Sequence, residues 1–254
     1  MRPIGFSTGA VSKCDYRWAI CQLVKYNVEV VELSALRLKE LLPLIQDFHN
    51  CPWRDFKFVS FHAPSHFELV DEALVLDCLR VVVGCGIPVV VHPDVIFTPS
   101  KWRWIGSLLY IENMDKRKPL GRTQQELLPL FEEFPAARLC FDIGHSRQVD
   151  PTMMEARKIL QCFGDRLGEI HISEVNTRSH HDPISLYAMK AFQSVAHLIP
   201  DEVPVVLETT LATGKSDVVR EISRARSALS SQFLDRVFLY GSDMSGTDGR
   251  QLSK

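Results

Sequence analysis

Acidic and imidazole side chains recur along this chain at one kind of place, directly after a short apolar run. In residues 139–145, Asp142 follows three apolar residues, and His145 comes three positions later, after Gly144, which allows the backbone to turn. A carboxylate and an imidazole at the tip of a buried strand are able to bind a divalent metal ion. Because Asp is common in turns and a lone His is usually structural, this interpretation depends on how the other strands end.

The elements that must position these residues follow from the hydrophobic pattern. Apolar runs alternate with helical patterns from end to end, which is typical of βα units around a parallel sheet. Eight runs are predicted as strands, at residues 4–7, 28–33, 56–62, 88–92, 108–112, 138–142, 169–173 and 205–208. Helices are predicted at residues 16–25, 36–48, 70–83, 185–197 and 216–230, and two more begin at a Thr123–Glu126 capping box and at Asp150-Pro151.

Eight strands separated by helices favour closure into a barrel, with an open doubly wound sheet as the alternative. The first strand is not followed by the Gly-x-Gly-x-x-Gly loop of the dinucleotide-binding open sheet. No internal repeat or composition shift marks a domain boundary. We therefore predict an α/β fold, a single (β/α)8 TIM barrel over residues 1–240, followed by a loose tail at residues 241–254.

Most of the predicted strands end in a residue that can bind metal or transfer a proton. Seven of the eight do so, at Glu32, His62, His92, Glu112, Asp142, His171 and Glu208. Any one of them is more often a solvated or hydrogen-bonded polar residue. Buried charges cost several kcal/mol each unless they are paired or bound to metal, so the whole set favours one site at the C-terminal mouth of a barrel. Two positions earlier, period two predicts barrel-lining residues at Ser60, Val90, Tyr110, Cys140, Glu169 and Val206.

Composition and charge narrow the class of protein. The 29 basic and 31 acidic residues give a net charge of −2, which argues against broad nucleic-acid binding, although a local basic patch keeps that partner open. The seven cysteines include no CxxC pair, so we expect reduced thiols. No apolar run reaches the roughly 18 residues of a membrane span and no signal peptide is recognisable, so we expect a cytoplasmic protein without membrane contact. The sequence is compatible with a homo-oligomer.

The smallest set able to bind a metal comes from strands five to eight, and it consists of Glu112, Asp142, His171 and Glu208. Three carboxylates with one imidazole suit Mn²⁺, Mg²⁺, Co²⁺, or Zn²⁺ with water. Further histidines are candidates for additional metals or for substrate contact, and they would favour Zn²⁺, Fe or Mn: His62, His92, His145, and either His180 or His181. We therefore expect one to three divalent ions.

The ordered series of strand-end motifs resembles the xylose isomerase-like TIM-barrel superfamily, which includes endonuclease IV and the sugar isomerases and epimerases. The similarity spans residues 4–210 and is carried by His62-Ala63-Pro64, His92-Pro93, Glu112-Asn113, Asp142-Ile143-Gly144-His145, His171-Ile172-Ser173-Glu174 and Glu208-Thr209. In the isomerase branch it implies one metal on Glu112, Asp142, His171 and Glu208, with Glu112 and Glu208 also moving protons. In the endonuclease branch it implies three zinc ions: one on His62, His92 and Glu112, the second on the same four residues, and the third on His145 with an Asp-x-His pair.

The loop after the seventh strand departs from the endonuclease pattern. Its nearest match to Asp-x-His is Arg178-Ser179-His180, so the third zinc site loses its carboxylate unless Asp182 replaces it. An Arg in this loop is similar to the epimerase branch, where it helps to hold substrate. His62 and His92, in contrast, are closer to the endonuclease. The chain therefore lies between the two branches.

Two further loops supply candidates for binding substrate. Four cations follow the fifth strand and would bind a phosphate or carboxylate, unless the loop is simply solvated: Lys116, Arg117, Lys118 and Arg122. Trp102, after the fourth strand, would stack on a sugar ring or an extruded base, or else pack a short helix that begins near Thr98. Arg178 and Glu32 complete the predicted substrate site.

The leading hypothesis from the sequence is a metal-dependent isomerase or epimerase that acts on a small sugar or phosphorylated polyol. Its predicted catalytic residues are Glu112, Glu208 and His145: one carboxylate takes a proton from carbon, and the other carboxylate or the imidazole returns it. The first alternative is phosphodiester hydrolysis by several metal ions, as in endonuclease IV, which explains His62 and His92 better. The second is a metal-binding barrel without catalysis.

Overall fold

The computed structural model describes residues 2–12, 15–211 and 215–230. Its barrel strands are β1 (Ile4–Ser7), β2 (Val30–Ser34), β3 (Phe58–His62), β4 (Val89–Val91), β5 (Leu109–Glu112), β6 (Arg138–Asp142), β7 (Leu167–Ile172) and β10 (Val205–Leu207). The eight strands are parallel and close in the order β1-β10-β7-β6-β5-β4-β3-β2, so the predicted (β/α)8 TIM barrel is confirmed. A separate antiparallel ribbon consists of β8 (Glu174–Val175) and β9 (His181–Asp182).

Helices connect the strands on the outside of the barrel. In the described part of the chain they are α1 (Thr8–Val11), α2 (Tyr16–Lys25), α3 (Leu38–Asp47), α4 (Glu72–Gly84), α5 (Pro99–Trp102), α6 (Gln124–Glu133), α7 (Ile143–Val149), α8 (Met154–Phe163), α9 (Leu186–Gln193) and α10 (Lys215–Ala228). None of these helices combines the length and the apolar character that a membrane span needs. The tail predicted at residues 241–254 lies outside the described residues.

Successive side chains of each strand point alternately towards the helices and into the barrel, which gives an apolar layer outside the sheet and a polar interior. Phe61 and Phe141 are fully buried in the layer between strands and helices, where burial of such a ring contributes about 1.5–3 kcal/mol. Their neighbours Ser60, His62 and Asp142 point into the barrel. Because one layer supplies the hydrophobic stabilisation, the interior is free to carry charged residues.

Several element boundaries differ from the sequence-based prediction, and two of the differences change the interpretation of a residue. Strand β2 starts at Val30 and continues to Ser34, which pairs with His62, so Glu32 is not the strand end. The helix predicted from Asp150 begins only at Met154. Asp150 instead accepts the backbone N–H groups of Thr152 and Glu155 at 3.0 and 2.9 Å, and thereby stabilises a turn before the helix.

The prediction that Trp102 contacts substrate is wrong. Trp102 is fully buried at the end of α5, and its indole Nε1–H donates to Glu72 at 3.0 Å. Glu72 is itself fully buried and also accepts the Thr98 backbone N–H at 2.7 Å. Burial raises the pKa of Glu72, but these hydrogen bonds outweigh it and hold the pKa below its usual value. The alternative from sequence, a tryptophan that packs a short helix, describes this residue.

Glu72→Gln is expected to lower the free energy of unfolding at pH 7 by about 1–3 kcal/mol, because an amide cannot accept all the bonds that the carboxylate accepts. The depressed folded pKa means that the carboxylate stabilises the protein fully above its unfolded pKa of about 4.3, and that this contribution disappears as the pH falls through the folded pKa. Urea unfolding followed by tryptophan fluorescence should therefore show a gap between wild type and variant that narrows below about pH 4. A gap of constant size would contradict this explanation.

Candidate metal centre

Six of the seven predicted strand-end residues meet inside the C-terminal mouth of the barrel. They form overlapping groups whose ligand atoms lie within 4.8 Å of one another, and these residues are His62, His92, Glu112, Asp142, His171 and Glu208. Parallel strands in register bring them together: Asp142 on β6 pairs with His171 on β7, and Glu112 pairs with Cys140, two residues before Asp142. The same end of six of the eight strands thus contributes to one centre, at the C-terminal mouth where TIM barrels carry their sites.

The first cluster consists of His62, His92 and Glu112. Both imidazoles approach the same carboxylate oxygen, since His62 Nε2 and His92 Nε2 each lie 3.2 Å from Glu112 Oε2. His62 Nδ1 lies 2.7 Å from the Ala63 carbonyl oxygen. Because a carbonyl only accepts, Nδ1 carries the proton and Nε2 is the nitrogen available for a metal, which is how outer partners usually orient a ligating histidine.

The second cluster consists of Glu112, Asp142, His171 and Glu208, the four residues predicted as the smallest metal-binding set. His171 Nδ1 lies 3.6 Å from Glu112 Oε1 and 3.5 Å from Glu208 Oε1. Three buried atoms here have no hydrogen-bond partner in the described chain: Asp142 Oδ2, His171 Nδ1 and Glu208 Oε2. Each unpaired buried polar atom costs about 1–3 kcal/mol, and a cation at their common centre would satisfy all three. The donor set therefore fits a divalent metal.

The third cluster consists of Asp142, His145 and His181. The predicted ligand His180 is exposed and lies outside it, because the β8–β9 ribbon turns the next residue, His181, towards the barrel mouth. With His181 as the histidine of an Asp-x-His pair, the position of the Asp falls on Ser179 and not on Arg178; Ser179 is buried, and its Oγ accepts a hydrogen bond from Gln148. Asp182 is exposed and bonded to Asn176, so it does not replace the missing carboxylate. This cluster has one carboxylate, which it shares with the second.

Helix α7 places Asp142 and His145 relative to each other. Asp142 Oδ1 accepts the His145 backbone N–H at 2.6 Å and so caps the helix, which leaves Oδ2 facing the second cluster. Asn113, fully buried, fixes the same strand end by accepting the Asp142 N–H at 2.8 Å and donating to the Asp142 carbonyl at 2.9 Å. Gly144 is needed for close approach, since a Cβ there would lie 2.5 Å from the Ser173 carbonyl oxygen.

Beneath the metal clusters lies an inner acidic layer made of Glu32 and Glu169. Both are fully buried, and both approach the face of His171 opposite the second cluster: Nε2 lies 3.1 Å from Glu32 Oε2 and 3.3 Å from Glu169 Oε1. Ser60 Oγ donates to Glu169 at 2.9 Å. Glu32 therefore does not reach the barrel mouth, contrary to its prediction as a substrate-binding residue, because β2 runs two residues beyond it.

Burial and neighbouring charges shift the pKa values of the ligand residues. Burial raises the pKa of Asp142 to about 7, and His145 offsets this only in part. Burial opposes the charged form of His145, but Asp142 and Glu112 outweigh it and raise its pKa to about 10. For His92, burial prevails over Glu112 and lowers the pKa. A dication that binds these groups would have to displace imidazole protons, so metal binding is coupled to proton release.

Of the loop residues predicted to bind substrate, some are exposed at the barrel mouth and one points inward. Lys116, Arg117 and Arg178 are exposed on neighbouring loops, and Arg117 Nη2 lies 3.4 Å from the Ser179 carbonyl oxygen. Lys118 instead points inward and bonds to Asp94. An open cavity of about 480 Å³ lies beside the third cluster and reaches Glu208, and it is lined by Ser7, Ser179, His181 and Thr210 among others. The rim cations and this cavity are the surfaces on which a substrate would approach the clusters.

No protein-family model matches the sequence, and no curated protein matches it. Solved structures do match: endonuclease IV from Thermus thermophilus is 16% identical with a TM-score of 0.60, covering 90% of this chain and 99% of that chain. A xylose isomerase-like TIM-barrel protein from Mycobacterium smegmatis in complex with magnesium is 12% identical, with a TM-score of 0.57 and coverage of 91% and 98%. A xylose isomerase domain protein from Alicyclobacillus acidocaldarius is 14% identical, with a TM-score of 0.54 and coverage of 95% and 99%. These similarities show the fold of the chain, a TIM barrel, which is the fold that its strand-end motifs predicted.

Proposed function

We propose that this protein is a multinuclear divalent-metal hydrolase that cleaves a phosphodiester. The proposal is carried by the Glu112 carboxylate, whose two oxygens face different clusters: Oε2 faces His62 and His92, and Oε1 faces His171. A carboxylate placed in this way is suited to hold two ions side by side, which is the arrangement that two-metal phosphoryl transfer uses. A single-metal reaction gives His62 and His92 no comparable role.

In such a reaction, some residues of the centre would bind the metal ions and others would transfer a proton. Divalent ions bound here would polarise the phosphoryl group and lower the pKa of an attacking water. Glu208 belongs to the second cluster alone but also approaches a histidine of the third, because Oε1 lies 3.5 Å from His171 Nδ1 and Oε2 lies 3.2 Å from His181 Nδ1. His145 and His181, whose cluster has a single carboxylate, would donate a proton to the leaving oxygen.

The metal is proposed from the donor atoms. Two imidazoles and one carboxylate in the first cluster favour Zn²⁺, and Fe or Mn²⁺ would also suit this set. The oxygen-rich second cluster accepts Zn²⁺, Mn²⁺, Co²⁺ or Mg²⁺. We expect two ions per chain, with a third bound weakly or not at all, since Ser179 stands where a ligand carboxylate would be needed.

A metal-dependent sugar isomerase or epimerase is the second candidate. Its specific support is that Glu208 belongs to the second cluster and also lines the cavity of about 480 Å³, whose hydroxyl-bearing walls suit a small polyol. In this reaction one metal on Glu112, Asp142, His171 and Glu208 would suffice, with Glu208 and Glu112 as the proton-transferring groups. Hydrogen exchange from deuterated solvent into the carbon beside a sugar carbonyl would be its signature.

His92→Asn is expected to separate the two candidates, because it removes a ligand of the first cluster and leaves the second intact. For the hydrolase, the metal content should fall from two ions to one per chain, and hydrolysis of bis(4-nitrophenyl) phosphate should fall by about 100-fold or more. For the isomerase, both the remaining ion and sugar turnover should persist. Elemental analysis and the two assays, the first repeated on an abasic-site duplex, measure these outcomes.

His66→Asn is the control for the same chemical change outside the clusters, since His66 lies in the segment that follows β3 and is exposed. It should leave metal content and turnover unchanged. Undiminished phosphodiester hydrolysis by His92→Asn would contradict the two-metal proposal, and deuterium incorporation by the wild-type protein would then favour the isomerase.

A further inference from the structure

Three loops at the barrel mouth are joined by one lysine. Lys118 Nζ lies 2.8 and 3.1 Å from the two carboxylate oxygens of Asp94 and donates to the Ser65 carbonyl at 3.2 Å. The Lys118 and Asp94 side chains are only 21% and 16% exposed, so water screens this ion pair weakly. All three ammonium hydrogens have an acceptor within this group, which we call the Lys118 clamp (Lys118, Asp94 and Ser65).

Each member of the clamp follows a ligand of the first cluster by a short length of chain. Ser65 comes three residues after His62, Asp94 comes two residues after His92, and Lys118 lies in the loop that begins after Glu112. Two or three residues span at most about 7–11 Å, which leaves little slack between the clamp and the imidazoles. The clamp therefore joins the ends of β3, β4 and β5 immediately beyond the three ligands.

The path of the β5–α6 loop directs Lys118 inward. Met114 N–H donates to the Gly121 carbonyl at 2.8 Å, which closes the loop on itself. Gly121 has φ +82, and a Cβ there would lie 2.6 Å from Pro93 Cγ, so the loop rests directly on the residue after His92. Lys116, two residues before Lys118, is exposed and has no comparable contact. The loop thus directs Lys118 towards the barrel and leaves Lys116 exposed to solvent.

We propose that Lys118 is a positioning residue for the first cluster: by holding Asp94 and Ser65 it sets the separation of His62 and His92 across Glu112 Oε2, and with it the affinity of this cluster for metal. Lys118 makes no hydrogen bond to the ligand side chains, so it would position them through the backbone of the two loops, in addition to the direct effect of its charge on His92. This role replaces the sequence-based prediction that Lys118 binds a substrate anion. It rests on metal binding at the first cluster, which the proposed function also requires, but not on phosphodiester hydrolysis.

The test is titration of metal-free full-length protein with Co²⁺, followed by visible absorption and calorimetry. The first cluster is identified as the class of sites that His62→Asn removes. Lys118→Met should weaken this class by about 10-fold or more and leave the other class unchanged, which is the usual scale for losing a group that orients metal ligands. Asp94→Asn, which keeps the side-chain shape, should do the same, and the double variant should be no weaker than either single one.

Lys116→Met is the matched control, because it removes the same charge from the exposed side of the same loop, and it should leave Co²⁺ binding unchanged. Lys118→Arg should restore part of the affinity by pairing with Asp94. Two results would overturn the proposal: Lys118→Met and Asp94→Asn that bind Co²⁺ as Lys116→Met does, or a wild-type titration identical to that of His62→Asn. If the clamp variants weaken the first cluster while no phosphodiester is hydrolysed, the clamp stands and the proposed function fails.

Discussion

Glu112→Gln is expected to lower turnover by at least about 10³-fold, equivalent to about 4 kcal/mol of transition-state stabilisation, and to reduce the bound metal to one ion or none. The reason is the division of the carboxylate between clusters, with Oε2 towards His62 and His92 and Oε1 towards His171. Glutamine keeps one acceptor oxygen but replaces the other with an NH₂ group, which has no lone pair for a metal. Elemental analysis and turnover measured on the same sample test both parts of this prediction.

Glu132→Gln provides the control for the same chemical change at an exposed site on α6, and should leave both quantities unchanged. Neighbouring histidines outweigh burial and hold the pKa of Glu112 well below its usual value, so Glu112→Gln is expected to lower the stability of the metal-free protein, and circular dichroism should establish that the variant is folded. Two ions per chain and turnover within tenfold of wild type would show that Glu112 does not bridge two metals.

The barrel and most residues of the candidate metal clusters could be predicted because both depend on local pattern. Strand β6 and helix α2 have the bounds that the hydrophobic pattern predicts, at Arg138–Asp142 and Tyr16–Lys25. Once the strands are parallel and in one sheet, their last polar residues must meet at one end, whatever the details of the loops. The meeting of His62, Glu112, Asp142 and His171 is therefore a consequence of topology.

Residues whose role depends on the exact register or on a distant partner could not be predicted. Glu32 was predicted at a strand end, but one more pair of residues in β2 moves it to the inner layer, because side-chain direction and depth follow the ladder and not the apolar run. The choice of His181 over His180 depends on the pairing of β8 with β9. Lys118 pairs with Asp94, which is 24 residues away in the sequence, and a local pattern does not predict a contact at that separation.

The inner acidic layer explains how His171 can present Nδ1 to the second cluster. For Nδ1 to bind a metal, the imidazole proton must be on Nε2, and carboxylate oxygens of Glu32 and Glu169 lie 3.1 and 3.3 Å from that nitrogen, where their charge favours the proton although neither contact has hydrogen-bond geometry. Holding two carboxylates inside a barrel is costly, and burial raises the pKa of Glu169 despite the opposing effect of His171. A raised folded pKa in a carboxyl group means that its ionised form destabilises the fold at neutral pH.

Glu169→Gln is therefore expected to move metal affinity and stability in opposite directions. Loss of the negative acceptor should weaken metal binding at the second cluster by about 10–100-fold, since the amide holds the Nε2–H of His171 less strongly. Removal of the buried charge should raise the free energy of unfolding of the metal-free protein at pH 7 by about 1–2 kcal/mol. Isothermal titration with Zn²⁺ and urea unfolding of chelator-treated protein measure the two effects separately.

Ser60→Ala distinguishes the charge of Glu169 from its orientation. This variant removes only the hydroxyl that donates to Glu169 at 2.9 Å, so it should weaken metal binding less than Glu169→Gln does and should not stabilise the metal-free protein. If Glu169→Gln lowered both affinity and stability, the carboxylate would be a structural group of the barrel interior. The opposite signs are expected because Glu169 destabilises the metal-free fold while it holds His171 in the tautomer that binds metal.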